Sequence, residues 1–335
     1  MTFPGETLLT EIWKTLSEKG IGKLLKPWQD RREGMVKIEL SKLQVISNAE
    51  AQIDAEKLRK GITTLKSITT NDLILNEAGC RVESDVILDI VESSITNELV
   101  INGVRKEVNL ANVIQYAEEN LKNEQIASPT KKIDDDWLYR WRDYASEFSN
   151  EKLQEIWGKA LAGEFKSPGS YSLRCLEFLK NLSQEEATNI EKIAEYVIDN
   201  KLIPNVFDLD YFKNEILPLE LLLDLQSIGF LVGLGTPGIN FSWESGRFES
   251  YEVHIQYHGK SLVLRHSDKD KTIYMSGFSL TPIAVQVLKL VKTKPNIDYI
   301  KYIGNQFKAQ DVNVTLADIF YFKDNEIRSK NEMEI

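Results

Sequence analysis

The chain has 335 residues, of which 42% are hydrophobic, 9% aromatic and 27% charged, and its formal net charge at pH 7 is -10. This composition excludes an intrinsically disordered chain, and the length exceeds what a single hydrophobic core usually supports. The negative charge argues against general nucleic-acid binding, which needs lysine and arginine side chains to displace counterions from phosphates.

The cysteines and the N-terminal residues indicate a cytoplasmic protein. Cys80 and Cys175 lie far apart and share no metal-ligand spacing with histidines, so neither a disulfide framework nor a zinc site is predicted. Glu6 and Glu11 interrupt the stretch in which a secretory signal peptide would need its apolar core. We therefore expect a cytoplasmic location.

Residues 1–128 are predicted to form an N-terminal region of long helices, because apolar residues recur at helical spacing in several of its segments. Residues 14–42 carry eight lysines or arginines against four acids, which makes a basic arm on an acidic chain. The candidates for contact with a partner or a membrane surface are Trp13, Lys23, Lys26, Trp28, Arg31 and Arg32. Packing of the arm against the rest of the chain explains the same pattern equally well.

Residues 133–200 are predicted to form an aromatic-rich helical bundle. Trp137, Trp141 and Tyr144 share one helical face, and Leu153 and Trp157 begin a second face with the same spacing. The two helices are expected to share an aromatic core, and two shorter helices follow in the sequence. The capping-box pattern of Ser183 with Glu186 marks the start of the fourth helix.

Residues 205–325 are predicted to form a C-terminal α+β module that resembles a winged helix. An apolar helix after Pro218 ends at Gly229, strand-like runs follow, and Thr281 with Pro282 begins another helix. The charged tail beyond Arg328 is expected to be frayed. With this module as its only β-rich part, the chain is predicted to be mainly α.

Three patterns in the sequence invite a chemical interpretation, and each has a stronger structural one. Gly233, Gly235 and Gly238 spell the G-x-G-x-x-G of dinucleotide-binding proteins, but the sequence after them predicts a strand instead of the required helix. The Asp134 to Asp136 run lies at a predicted helix start, where acids complement the helix dipole.

The histidines are the third pattern. His254 and His258 are expected to share one face of a strand and His266 lies nearby, but no cysteine or spaced carboxylate completes a metal-ligand set. We therefore predict no catalytic residue, no cofactor and no metal site.

Residues 137–187 resemble a bacterial family catalogued only as a domain of unknown function, through E-x-L-Q-x-x-W-x-x-x-L-A-G-E, P-G-S-x-S and L-S-x-x-E-A. That family is in turn similar to the abortive-infection alpha proteins of bacterial phage defence. The later L-x-x-L-x-x-I-G-F-L and F-S-L-T-P-I-A-V-Q-V-L stretches are similar to the second half of such proteins, so the resemblance covers about half of the chain. It brings no catalytic residues with it. It departs from the family pattern after Thr281 and Pro282, where the Ile283-Ala284-Val285 run replaces the usual glycine.

From these observations we expect a non-enzymatic protein of bacterial antiviral defence that acts by binding another protein or by self-assembly. One alternative is a DNA-binding regulator built on the winged-helix-like module, although the acidic charge weighs against it. Another alternative is a peripheral membrane-perturbing effector that uses residues 5–32.

Overall fold

The computed structural model describes residues 12, 14–16, 18–21, 84–122, 132–207, 209–212, 216–235, 238–245, 250–321 and 327–335. The chain divides into two compact units, residues 1–166 and residues 167–335. The division falls inside residues 133–200, which the sequence analysis treats as one bundle. The boundaries 1–128, 133–200 and 205–325 stay a prediction.

Three long helices form the described core of the first unit: α1 (Ser84–Leu121), α2 (Asp135–Ala145) and α3 (Glu151–Lys166). The buried stripe of α1 repeats at helical spacing and consists of Leu110, Val113, Ile114, Ala117 and Leu121. Gly158 lets α3 approach this stripe, since a Cβ there would lie 2.5 Å from Tyr116 Cβ and 2.8 Å from the Val113 carbonyl oxygen. The close packing of α1 on α3 therefore depends on one glycine.

The predicted aromatic core between α2 and α3 is confirmed. Trp141 donates a hydrogen bond from Nε1 to the Trp157 carbonyl oxygen at 3.0 Å, so its buried indole N–H has a partner. The Trp157 ring stacks on Phe148 at 5.8 Å and meets the edge of Tyr144 at 6.3 Å. Buried rings thus join the two helices directly.

The second unit contains five α-helices among its described residues: α4 (Leu173–Lys180), α5 (Gln184–Ala194), α6 (Leu219–Ser227), α7 (Pro282–Leu288) and α8 (Ile297–Lys308). The capping box of Ser183 and Glu186 at the start of α5 is confirmed, and so is the Thr281 cap of α7. Gly229 follows α6 with a φ of 73°, a conformation that favours glycine after a helix end.

The first sheet of this unit is built around β6 (Thr272–Leu280). On one side β6 pairs antiparallel with β1 (Leu202–Pro204), and on the other with β2 (Leu231–Val232) and then β3 (Ile239–Glu244). At Gly277, a Cβ would lie 2.2 Å from the carbonyl oxygen of Ile203. Only glycine permits this approach of β1 to β6.

The second sheet has the strand order β4 (Tyr251–Tyr257), β5 (Lys260–His266), β7 (Asn313–Tyr321) and β8 (Ile327–Glu334), with every neighbouring pair antiparallel. His258 and Gly259 form the turn between β4 and β5 with φ values of 43° and 78°. Two positive φ angles are typical of the tight type I′ turn. Helix α8 packs on β5 and β7.

The prediction of a mainly α chain is wrong, because the described residues form two four-stranded antiparallel sheets in the C-terminal half. The chain is α+β, and its strands are distributed over two sheets instead of the hairpin of a winged helix. The strand-like runs predicted after Gly229 include β4, β5 and part of β6, but the sequence analysis does not predict β7 or β8. β8 (IRSKNEME) carries many charged and polar residues, so pairing with β7, rather than strand propensity, makes it a strand. β7 (NVTLADIFY) is rich in apolar and β-branched residues, a signal for a strand that was available in the sequence.

The expectation of a frayed tail beyond Arg328 is also wrong. Strand β8 runs from Ile327 to Glu334 along β7. The Arg265 guanidinium donates hydrogen bonds to both carboxylate oxygens of Glu332 at 2.6 and 2.8 Å. Asn331 donates a further hydrogen bond to Asp318 Oδ2 at 2.9 Å. Polar side chains of the tail, together with the pairing of β8 with β7, therefore attach it to the second sheet.

The close α1–α3 contact predicts that alanine is harmful at Gly158 and tolerated at Gly103, a glycine of α1 that is exposed. We expect Gly158→Ala to lower the free energy of unfolding by about 1–3 kcal/mol, because the methyl group would overlap backbone atoms of α1. Gly103→Ala is the matched control, since a Cβ on this exposed helical glycine meets nothing within 4 Å. The control should raise stability by up to about 1 kcal/mol through helix propensity. Urea unfolding of both variants measures the difference, and equal shifts would contradict the close contact.

Candidate functional site

The six arm residues predicted to contact a partner or a membrane, Trp13, Lys23, Lys26, Trp28, Arg31 and Arg32, lie outside the described residues. Their described neighbours Ile12, Leu16 and Ile21 are buried, and Lys19 forms an ion pair with Asp135 at the start of α2. In the part of the chain that the structure describes, no helix is both long enough and apolar enough to span a membrane.

The glycine motif and the acidic run have structural roles. Gly233, Gly235 and Gly238 lie between β2 and β3 with φ values of 110°, 81° and 90°, and strand β3 follows them. Asp134 caps α2 by accepting a hydrogen bond from Trp137 N at 3.0 Å. Both placements agree with the structural interpretations made from the sequence.

The three histidines are not brought together. His254 lies on the face of the second sheet that carries Glu252, whereas His266 pairs with Tyr251 on the opposite face. His258 lies in the turn beyond the strand, so the prediction that it shares a strand face with His254 is wrong. Within the described ranges, no group of three or more His, Cys, Asp or Glu residues is placed to hold a metal ion.

A cross-strand charge network occupies one face of the second sheet. Glu252, whose side chain is 11% exposed, accepts from Arg265 Nε at 2.9 Å and lies 3.3 Å from His254 Nε2. The Arg265 hydrogen bonds to Glu332 hold the pKa of that carboxyl down at about 2, well below its usual range. Through Arg265 of β5, the Glu252 carboxylate thus links β4 to β5 and the Glu332 carboxylate links β8 to β5.

A second polar cluster lies at the C-terminal end of α5, where three carbonyl groups accept side-chain hydrogen bonds. His258 Nε2 reaches the Ala194 oxygen at 2.9 Å, and the hydroxyls of Tyr257 and Tyr299 donate to the oxygens of Glu195 and Tyr196 at 2.8 Å each. Because a carbonyl only accepts, His258 must carry its hydrogen on Nε2.

The same cluster includes Asn296, the cap of α8. Its backbone N–H donates to the Tyr257 hydroxyl at 2.9 Å, and its side-chain amide donates to Glu195 Oε1 at 2.6 Å. Burial raises the pKa of Tyr196 to about 12 and lowers the pKa of the His258 imidazole. Both side chains stay neutral near pH 7, and the donors that join α5, α8 and the β4–β5 turn are His258, Tyr257 and Tyr299.

An open cleft of about 490 Å³ lies beside the start of β7, lined among others by His266, Lys308, Asn313 and Glu334. His266 Nε2 lies 3.7 Å from a carboxylate oxygen of Asp311, and Lys308 Nζ contacts the Ile335 carbonyl oxygen. The basic side chains of the cleft thus already face oxygen atoms of the chain itself.

The clearest binding feature is the outer face of α6, which we call the α6 face and define as Ile216, Leu219, Glu220, Leu223 and Asp224. Leu219 and Leu223 are 51% and 48% exposed and lie one helical turn apart, with exposed Ile216 preceding them. Glu220 and Asp224 are exposed beside the leucines, and the helix sequence LELLLDLQS contains no lysine or arginine. The face is an apolar ridge with an acidic flank.

Sequence reasoning found this helix but missed its exposed face. Five of its nine residues are leucines and they lie on more than one side of the helix, so the apolar pattern alone does not tell which leucines are buried. Leu221, Leu222 and Leu225 are buried in the unit, which leaves the other two outside. The signal available was the position of Glu220 and Asp224, each next in sequence to an exposed leucine.

Comparison with known proteins gives one match. A family model described as "Protein of unknown function (DUF2806)" matches residues 97–304, which is more than half of the chain. The match contains the segment 137–187 that carries the resemblance to an uncharacterised family. No curated protein and no solved structure matches the chain.

The charge network on the second sheet makes a prediction about acid stability. The Glu332 carboxyl has a pKa of about 2 in the folded chain against an ordinary 4.5, so its stabilising contribution is complete above about pH 4.5 and disappears as the pH falls through 2. We expect Glu332→Gln to be less stable than the unmodified chain at pH 7, with the difference shrinking toward zero below pH 2. Chemical unfolding at a series of pH values measures this.

The exposed Asp224→Asn is the control for this experiment, because it removes one acidic charge away from the sheet. Its difference from the unmodified chain should not follow the same pH course. A Glu332→Gln difference that stays constant from pH 7 to pH 2 would contradict the network's role.

Proposed function

We propose a function for this chain, which belongs to the DUF2806 family, from the geometry of its own residues. It is a protein-binding protein without catalytic chemistry, and the α6 face receives an amphipathic helix with basic flanks from another protein. The observation that carries this proposal is the pair of half-exposed leucines, Leu219 and Leu223, on a helix whose exposed flank is acidic.

The physical basis is apolar burial in a specified orientation. A second helix laid along the ridge would cover Leu219 and Leu223, one helical turn apart, and Ile216, which precedes the helix. Covering two half-exposed leucines contributes roughly 1 kcal/mol each. Glu220 and Asp224 would then face the flank of the incoming helix, where lysine or arginine speeds association and rejects acidic partners.

The polar clusters of the second unit support a role in scaffolding. Glu252 and Glu332 are bound to Arg265, and the tyrosine hydroxyls at the end of α5 are bound to carbonyl oxygens. These contacts tie strands and helices together, as expected for a rigid body that presents a surface.

The biological context that we propose is bacterial defence against phage, the context that the name of the abortive-infection alpha proteins indicates. It rests on the resemblance of residues 137–187 and on no contact in the structure. The DNA-binding alternative depended on a winged helix, and the described strands form two four-stranded sheets instead. The membrane alternative depends on residues 5–32, most of which lie outside the described part of the chain.

Binding at the α6 face predicts a preference that can be reversed. The probes are two synthetic helical peptides with leucines at positions i, i+4 and i+7, one flanked by lysines and one by glutamates. We expect the protein to bind the lysine peptide more tightly, and Leu219→Ser with Leu223→Ser to weaken that binding on the order of tenfold, since 1.4 kcal/mol is a factor of ten. Glu220→Lys with Asp224→Lys should reverse the preference, and fluorescence anisotropy measures both peptides against the unmodified chain and against each double variant.

All four positions are exposed, so the variants should keep the unfolding midpoint of the unmodified chain, which serves as the control for folding. If the double charge variant keeps the original preference, the α6 face is not the binding surface.

The defence context makes a separate prediction. Expression of the chain in a bacterial host should reduce the number of phage plaques, and Leu219→Ser with Leu223→Ser should restore them because the partner contact is lost. Plaque counts with equal protein levels measure the effect. Protection that survives the double substitution would separate defence from the α6 face, whereas an absence of protection from every phage tested would remove the context and leave peptide binding intact.

A further inference from the structure

We infer that the free edge of β3 pairs with β3 of a second copy of this chain to form a continuous sheet. This goes beyond the proposed function, because it concerns self-association at a different surface. We call this surface the β3 edge and define it as Ile239 to Glu244.

The argument begins with the direction of the backbone groups in β6, which alternate between its two neighbours. Leu280 N donates to the Lys201 oxygen at 2.8 Å, and Asn205 N donates to the Ser276 oxygen at 3.0 Å. Even-numbered residues of β6 therefore direct their N–H and C=O groups toward β1. Thr281 N donates to the Phe230 oxygen at 3.0 Å on the opposite side, as the alternation requires.

The β1 side of β6 is closed even where β1 has ended. The side-chain amide of Gln310 accepts from Tyr274 N at 2.9 Å and donates to the Tyr274 oxygen at 2.7 Å. One glutamine side chain thus replaces the two hydrogen bonds of a neighbouring strand. Nothing can be added to this side of the strand without displacing it.

On the opposite side, β3 is the outermost strand among the residues that the structure describes. Odd-numbered residues of β6 face β3 in the register Gly277 with Ile239 and Met275 with Phe241. The odd-numbered residues of β3 therefore bond to β6, and the N–H and C=O groups of Asn240 and Ser242 point away from it. Both residues are exposed, and within the described ranges the strand that pairs with β3 is β6.

Apart from the charge of Glu244 at its C-terminal end, this edge lacks the features by which monomeric proteins protect their sheets. Between Ile239 and Trp243 there is no charged residue and no proline, and the pairing with β6 runs without irregularity. The edge of the other sheet differs, since β8 carries Lys330, Glu332 and Glu334 and its pairing with β7 shifts register. One edge is protected by charge and the other is open.

The residue pattern of the β3 edge fits its own copy. If two β3 strands pair antiparallel about a two-fold axis at Phe241, Asn240 lies opposite Ser242 of the partner and Ile239 lies opposite Trp243. The outward groups of Asn240 and Ser242 then meet in hydrogen-bonded pairs. Apolar side chains face apolar ones, polar ones face polar ones, and no two like charges are opposed.

The pairing is symmetric and closes on itself, as in most homodimers. Six residues per chain make a small contact, and stable interfaces usually bury more than about 1,000 Å² in total. We therefore expect a dimer that dissociates on dilution.

Sedimentation velocity of the full chain over a range of concentrations tests this. We expect a shift from monomer to dimer as concentration rises, and loss of that shift in Ser242→Pro, because proline removes an outward N–H and leaves the bonds to β6 in place. Ser242→Lys is the second variant and should also remove the shift, so the test does not depend on proline being tolerated. Leu219→Ser with Leu223→Ser is the control, and it should dimerise like the unmodified chain.

Cysteine cross-linking reports the register. Phe241→Cys should give a dimer that reductant dissolves, because residues on the axis lie directly opposite their copies, whereas Tyr274→Cys, one strand further in, should not. A chain that stays monomeric at every concentration, or a dimer that both Ser242 variants leave unchanged, overturns the proposal.

Discussion

The arrangement of the second unit depends on how one helix end is satisfied. The last carbonyl groups of any helix lack partners within it, and burying them without partners would cost several kcal/mol in total. At the end of α5, side chains from elsewhere in the unit supply the hydrogens: His258 and Tyr257 from the β4–β5 hairpin, and Tyr299 from α8. These three bonds fix the second sheet and its covering helix to the helices, and the charge network of Arg265 then holds the outer strands.

The structure separates surfaces that are closed from surfaces that are available. The charge network of Arg265 and the cluster at the end of α5 hold their polar groups in hydrogen bonds, whereas the α6 face and the β3 edge are exposed. Both belong to the same unit, yet they differ in kind, since the first offers apolar side chains with an acidic flank and the second offers backbone groups. A protein that binds one partner through side chains and its own copy through backbone would use them independently.

Sequence reasoning succeeded where the determining interaction is local. Asp134, Ser183 and Thr281 cap helices within three residues of themselves, so their roles follow from short patterns. The aromatic core of α2 and α3 was also predictable, because two tryptophans at helical spacing on adjacent helices have little choice of partner. His258 shows a signal that was available but unused, since His-Gly between two strand-like runs is typical of a two-residue hairpin turn.

The rest depends on partners that are distant in the sequence. Strand β8 looks like a charged tail until Arg265, more than sixty residues earlier, is placed beside it. The exposed leucines of α6 cannot be distinguished from the buried ones without knowing which side of the helix packs on the rest of the unit. The β3 edge is visible only after the register of β6 is known on both of its sides.

Gln310 has a consequence for any assembly built on the first sheet. Its amide, with Asn205 and Lys201, fills the side of β6 that faces away from β3, so no further strand can pair along that side of β6. Open edges on both sides would let each added chain accept another, and the product would be a fibre of unlimited length. With that side of β6 filled, a second copy can join only through β3, and the two-fold contact then uses the β3 edge of both chains.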